Sequence, residues 1–285
     1  MTNPPERQEA APPHSTGAPL PRVLTVAGSD SGGGAGIEAD LKVCTALGCY
    51  GMAAVTAVTA QNTQGVYGVE ELTPGFVAQQ IDVVAEDIGI DAVKTGMLAN
   101  PGIVEAVADV LTRRKPPFVV VDPVMVAKSG DTLLKQEARD ALMHKLLPVC
   151  TLVTPNMEEA AVLADMRVES TADMRRAAAR IHALGPSHVL VKGGHRHGSD
   201  LAEDFLFDGE SLHAFSTPRV DTKNTHGTGC TFSTAIPCYL ARGLAMSEAI
   251  QSAKTYLHGA LQHSLALGHG HGPLNHMWRL RDGDT

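Results

Sequence analysis

Aromatic residues are scarce, with Phe, Trp and Tyr making up only 4% of the 285 residues. That excludes the stacked aromatic platform on which single-strand nucleic-acid binders lay bases. A basic patch is missing too. The formal net charge is −8, and the longest basic run, Arg113-Arg114-Lys115, closes a helical pattern, where cations complement the helix dipole. Such a chain repels nucleic acid and acidic membrane surfaces, so neither is an expected partner. The five cysteines, Cys44, Cys49, Cys150, Cys230 and Cys238, include no CxxC pair, which argues against a disulfide framework and suits a reducing compartment. No apolar run approaches the roughly eighteen residues of a membrane span. The first 21 residues, MTNPPERQEAAPPHSTGAPLP, lack the apolar block of a signal peptide. The expectation is a cytoplasmic protein with a disordered tail over 1–21 and a single domain over 22–285.

What the chain does have is aliphatic residues in two alternating patterns. Hydrophobic content is 44%, enough for a full core. Short buried-strand runs (VLTVAG, MAAVTAVTA over 52–60, AVKTGM, FVVVDPVM, TLVTPN, HVLVKGG) alternate with helical ones. Ile37, Leu41, Cys44 and Leu47 share one helical face. Thr73-Pro74 and Asn100-Pro101 each read as a cap followed by proline at the first helical position. Runs 203–208 and 212–217 around Asp208-Gly209 read as a hairpin, and helices follow over 228–242 and 247–267. The pattern predicts an α/β fold of three layers, a mostly parallel central sheet with helices on both faces. In such sheets ligands bind beyond the carboxyl ends of the strands. The short polar motifs GSDSGGGAG, TAQNT, KTGM, DPVM, TPNMEE and KGGH all fall there.

Each motif has a chemical and a plain structural reading. Within GSDSGGGAG (28–36), the fingerprint-like Gly34-Ala35-Gly36 comes several residues too late after the strand for dinucleotide binding, and no Gly-Lys-Ser/Thr is present; the motif reads as a loop over a small ligand, or as a flexible helix cap. In NTHGTGCTFS (224–233) glycines open a helix, so free amides and the helix dipole can hold phosphoryl oxygens. Asn156 and Glu159 could hold magnesium through water, or simply cap a helix reciprocally. Lys192 could reach a phosphate, or be a solvated strand-end lysine. His269, His271 and His276 have no acidic or cysteine partners at ligand spacing, and a mobile polar tail is the alternative to a metal site.

Together the segments LTVAGSDSGGGAGIEADLK, TAVTAQNTQGV, VKTGML, VVDPVMVAKSGD, LVTPNMEEA, VLVKGGH and TKNTHGTGCTFS resemble the hydroxymethylpyrimidine and phosphomethylpyrimidine kinases of thiamine biosynthesis, members of the ribokinase-like superfamily. The resemblance implies ATP as co-substrate with Mg2+, and two successive phosphorylations of 4-amino-5-hydroxymethyl-2-methylpyrimidine, to the monophosphate and then the diphosphate. It implies that Gln61 hydrogen-bonds the pyrimidine, since an amide both donates and accepts. Gly28, Thr59, Met97, Val124 and Asp40 match substrate-pocket positions. Asn156 and Glu159 match the magnesium and phosphate position, and Lys192 and Lys254 the nucleotide. Gly227, Thr228, Gly229 and Cys230 match the anion hole. Sugar kinases of the superfamily carry aspartate where Cys230 stands. A thiol there can stay neutral beside a phosphorylated acceptor, or become thiolate if the helix N-terminus lowers its pKa. The resemblance also implies a homodimer. The rival readings are a pyridoxal-type kinase, a non-catalytic ligand-binding module and a dehydrogenase. The sequence leaves open whether the KSGD loop (128–131) closes over the substrate, where a cover that excludes water would suit the chemistry.

Overall fold

The computed structural model describes residues 20–125, 136–194 and 200–280. The KSGD loop and nearly all of the expected tail lie outside the described residues. The chain runs β1 (Arg22–Ala27), α1 (Gly36–Ala46), β2 (Tyr50–Val55), β3 (Ala57–Gln61), β4 (Val66–Glu71), α2 (Pro74–Asp87), β5 (Ala92–Thr95), α3 (Pro101–Arg114) and β6 (Phe118–Val121). It continues through α4 (Gln136–Ala141), β7 (Leu152–Val153), α5 (Met157–Ala164), α6 (Thr171–His182), β8 (His188–Lys192), β9 (Leu201–Phe207), β10 (Leu212–Pro218), α7 (Thr228–Ala241) and α8 (Met246–Gln262).

Eight strands form one sheet in the order β10-β9-β8-β7-β6-β5-β1-β2. The six from β8 to β2 are parallel, and β9 and β10 add an antiparallel edge. Side chains alternate between the two faces because the strand period is two. Leu24, Val93, Val121 and Val153 pack under α2, α3, α5 and α6, whereas Val23, Ala92, Val120 and Leu152 pack under α1, α7 and α8. The three-layer α/β arrangement is therefore as the alternating patterns predict. The proline-led helix starts are present: the Asn100 side chain accepts from Ile103 N at 2.9 Å, and α3 ends in Arg113 and Arg114, which pair with Asp82 of α2.

One expected strand divides. The run 52–60 breaks at Thr56, whose amide donates to Ala27 O at 2.9 Å and whose hydroxyl donates to Met97 O at 2.6 Å. Those bonds end the pairing with β1 and turn the chain off the sheet, so β3 pairs with β4 in a separate two-stranded ribbon. Small and β-branched residues run through the break without a glycine or proline, so periodicity alone reads one strand. On α1, Asp40 is fully buried while Leu41 is only partly so. The inward face of this helix is thus partly ionic.

Candidate active site

Residue Gly227 caps α7 at φ +85°, a left-handed conformation that favours glycine. A Cβ there would also overlap the carbonyl oxygen of Gly34, so the glycine-rich loop and the start of α7 are in direct backbone contact. The helix proper begins with Thr231 N donating to Gly227 O at 2.8 Å. Upstream of that bond, Thr228 N makes one long contact of 3.3 Å to Thr225 O. Among the described residues no acceptor takes the amides of Gly229 or Cys230. Orphan first-turn amides with a helix dipole behind them form an anion cradle.

Lys192, at the end of β8, stands on one side of this cradle. A Cβ on Gly229 would lie 3.6 Å from Lys192 Nζ and 3.7 Å from Asp122 Oδ2. Asp122, just beyond β6, holds Lys192 at 2.8 Å and accepts from Ser233 at 3.1 Å and Thr154 at 3.3 Å. Burial opposes the Asp122 charge, but Lys192 and Lys94 hold its carboxyl below the usual range. Lys192 is therefore a buried ion, not a solvated strand-end lysine. Nearby, Asn156 and Glu159 make the reciprocal cap: Glu159 N donates to Asn156 Oδ1 at 2.8 Å and Asn156 N to Glu159 Oε2 at 2.7 Å. Burial pushes the Glu159 carboxyl up to about 7, with Lys192 pulling it down and Asp122 pushing it up.

On the other side stands half-buried Cys230, with the Gly36 amide near its sulfur. Burial pushes the thiol up to about 11 against the pull of Lys94, with Asp40 and Asp122 adding to the rise. Of the two states the sequence leaves open, burial favours the neutral thiol over the thiolate, because desolvation outweighs the cations. Asp40 is wholly buried; it accepts from Thr25, from Lys94 at 2.8 Å and from Thr234 at 2.6 Å.

Of the expected substrate positions, Thr59 meets Gln61 and Gly28 meets Met97. Thr59 Oγ1 donates to Ser29 O at 2.8 Å and stands 3.3 Å from Gln61 Oε1. The Gln61 backbone is fixed by Ser31, leaving its side-chain amide in a small cleft shared with Asn62 and His226. Gly28 leaves room for Met97, whose methyl a Cβ at position 28 would overlap. Val124 is half-buried in the turn after β6. Lys254 is bound to Asp204 at 2.5 Å, and Asp204 also accepts from Gly193 N at 3.0 Å, so this lysine supports the turn after β8 from behind.

Four residues at the site lie inside the quoted motifs but are given no role by the sequence reading: Lys94, Asp122, Asp30 and His226. A lysine inside AVKT and an aspartate ending VVVD were visible signals, because unpaired charge in buried strands is costly. Asp30 accepts from Gly32 N, Gly34 N and Ala35 N at 2.8, 3.0 and 2.8 Å, and His226 Nε2 lies 2.7 Å away. Burial opposes its charge, but His226 and the amides hold the carboxyl below its usual value. A depressed carboxyl contributes stability above its unfolded pKa of about 3.9, and that stability is lost as pH falls through the folded value. Asp30→Asn should therefore cost about 2 kcal/mol at pH 7 and flatten the acid limb of the stability curve below about pH 4. Denaturant melts of both proteins between pH 3 and 7 check this; parallel acid limbs would refute it.

Of the three histidines near the end of the chain, His269 and His271 are exposed and His276 is packed inside. His276 is buried against Thr231 Oγ1 at 2.9 Å, and among the described residues no group of three metal-ligating side chains occurs.

A phosphomethylpyrimidine kinase family model matches residues 30–275. The chain is 52% identical over 267 residues to the thiamine biosynthesis bifunctional protein ThiED of Geobacter sulfurreducens, covering 93% of this chain and 54% of that protein. It is 50% identical over 260 residues to the hydroxymethylpyrimidine/phosphomethylpyrimidine kinase of Streptomyces coelicolor, covering 91% of this chain and 96% of that one. Among solved structures, the pyridoxal kinase from Staphylococcus aureus in complex with AMP-PCP and pyridoxal superposes with a TM-score of 0.84 at 36% identity, covering 93% of this chain and 96% of that one. The phosphomethylpyrimidine kinase from Clostridium difficile 630 gives 0.75 at 42% identity, covering 84% and 99%.

Proposed function

Since the chain belongs to the phosphomethylpyrimidine kinase family, we propose that it phosphorylates 4-amino-5-hydroxymethyl-2-methylpyrimidine from ATP twice, first to the monophosphate and then to the diphosphate. The observation that carries this reading is the start of α7, where the free Gly229 and Cys230 amides open the helix beside Lys192 and Asp122, while His226, just before that turn, lines the cleft that holds Gln61. Phosphoryl transfer passes through a loose transition state, so the protein's task is mainly positioning and charge stabilisation. Lys192 and the α7 amides hold the transferring phosphoryl oxygens, and Lys254 steadies the turn behind them through Asp204. Gln61 orients the pyrimidine by donating and accepting, while Gly28, Thr59, Met97 and Val124 shape its pocket. Cys230 takes the position beside the incoming oxygen. With burial pushing it up to about 11, the thiol adds no negative charge there.

Glu159 and Asn156 are the residues that would hold Mg2+ through water. A buried carboxyl pushed up to about 7 is short of cationic partners, and magnesium characteristically binds through one or two carboxylates, waters and phosphates without a protein cage. The ion would offset charge on the ATP phosphates.

Mass spectrometry of products from ATP, Mg2+ and the hydroxymethylpyrimidine tests the reading. A species two phosphates heavier is expected, and ATP turnover that ignores the pyrimidine would overturn it. Pyridoxal belongs in the same assay, because the Staphylococcus aureus pyridoxal kinase covers 93% of the chain at 36% identity; the higher identities to the pyrimidine kinases make it the secondary substrate. Exposed Val58, Tyr67 and Val69 on the β3–β4 ribbon favour a homodimer, and five free cysteines favour a cytoplasmic location.

A further inference from the structure

Two buried acids flank the first turn of α7, and each binds one lysine and one helix hydroxyl. Asp122 binds Lys192 at 2.8 Å and Ser233 at 3.1 Å; Asp40 binds Lys94 at 2.8 Å and Thr234 at 2.6 Å. The Asp122 pair lies at the phosphate end of the cradle, beside Gly229. The Asp40 pair lies on the Cys230 side, where Thr234 is one helical turn beyond the thiol.

Lys94 is an unusual residue for its place. It sits in mid-sheet on β5, in register with Thr25 of β1 and Val120 of β6, its side chain fully enclosed in a layer otherwise built from residues such as Ala92 and Val120. A buried ion pair is seldom more stabilising than an apolar pair of the same volume, so stability alone does not account for it. Burial works against its proton, yet the Asp40 and Asp122 carboxylates outweigh burial and keep it charged. Gly96 packs bare against it: a Cβ there would lie 2.9 Å from Lys94 Nζ, and the next residue, Met97, borders Gly28. No side chain at position 96 separates the ammonium from the pocket wall.

We infer that Lys94 is the fixed countercharge for the acceptor in the second phosphorylation: a positioning residue that, anchored by Asp40 beneath Cys230, offsets the negative charge of a phosphomonoester entering beside the thiol. The inference rests on the two-step reading above. A neutral alcohol needs no such partner, whereas a phosphomonoester brings a charge of about −1.5 to −2 into a site where water no longer screens it. In that reading Lys192, held by Asp122 beside Gly229, serves the donor phosphates at the other end of the cradle.

The test is steady-state kinetics of each phosphorylation separately, with the alcohol and with its monophosphate as acceptor, for wild type, Lys94→Met and the double variant Lys94→Met/Asp40→Asn. The double variant avoids leaving a buried carboxylate unpaired. Expected is a fall of about tenfold or more in the ratio of second-step to first-step kcat/KM in both variants, carried chiefly by KM for the monophosphate. An unchanged ratio, whatever the absolute loss, would overturn the inference, as would failure of both variants to fold, since Lys94 would then be a structural residue. A wild-type enzyme that makes no diphosphate would instead overturn the two-step reading itself.

Discussion

Replacing the thiol by a carboxylate, Cys230→Asp, should slow the second phosphorylation on the order of 100-fold while the first falls by less than about tenfold. Two carboxylates, Asp40 and Asp122, already act on Cys230, and each is matched by a lysine. A third would bring no cation of its own and would compete with the acceptor for those two lysines. In the first reaction the acceptor is a neutral alcohol, and a carboxylate can take its proton, so much of the rate survives. In the second the acceptor is already anionic. Two like charges a few ångströms apart at an effective dielectric near 20 repel by several kcal/mol, of which solvent and Lys94 relieve part. Separate assays of the two steps decide it: equal losses would count against the charge argument. Cys230→Ala, by contrast, should leave the second step the less affected of the two if the thiol also assists removal of the alcohol proton. Mild effects of both variants on both steps would reduce Cys230 to a packing residue.

The second large effect concerns backbone contact. Gly227→Ala should abolish measurable phosphorylation and lower stability by about 3 kcal/mol, which for a domain of this size is a fall in Tm of roughly 6–12 °C. Two penalties act together: a left-handed φ of +85° and a Cβ that meets the Gly34 carbonyl. Relief requires the loop 30–36 to retreat from α7, which also pulls on Asp30 and the Gly36 amide at the Cys230 sulfur. Gly243→Ala, at φ +90° with open space around its Cβ position, carries the first penalty alone. It should lose only about 1 kcal/mol and keep its activity. Thermal melts with activity assays separate the two; similar behaviour of both variants would show that the clash is absorbed.

The fold was readable because its signals are local. Alternation in the strands, the Thr73-Pro74 and Asn100-Pro101 caps and the Asp208-Gly209 turn all act over a few residues, and each appears where the pattern puts it. The glycine turn before α7 was readable for the same reason. Thr56 was not, because what ends the strand there is a pair of bonds to Ala27 and Met97, distant in sequence. The charged layer under the cradle failed for a related cause. Asp40, Lys94, Asp122 and Lys192 come from α1, β5, β6 and β8, and only the assembled sheet makes them neighbours. Lys94 carries no role when AVKTGM is read as a strand, whereas its partners turn it into part of the site. The capping box at Asn156 was the plain alternative on the page, and the structure contains it; burial is what also makes Glu159 a carboxyl of unusual proton affinity.

The meeting of Gly34 with Gly227 joins a segment made early in synthesis to one made late. A nascent chain on the ribosome therefore carries its pocket loops long before it has anything to close them against. Catalytic competence must arrive in a single step, when the last helices emerge and dock, so partial translation products would be inert and would waste no ATP.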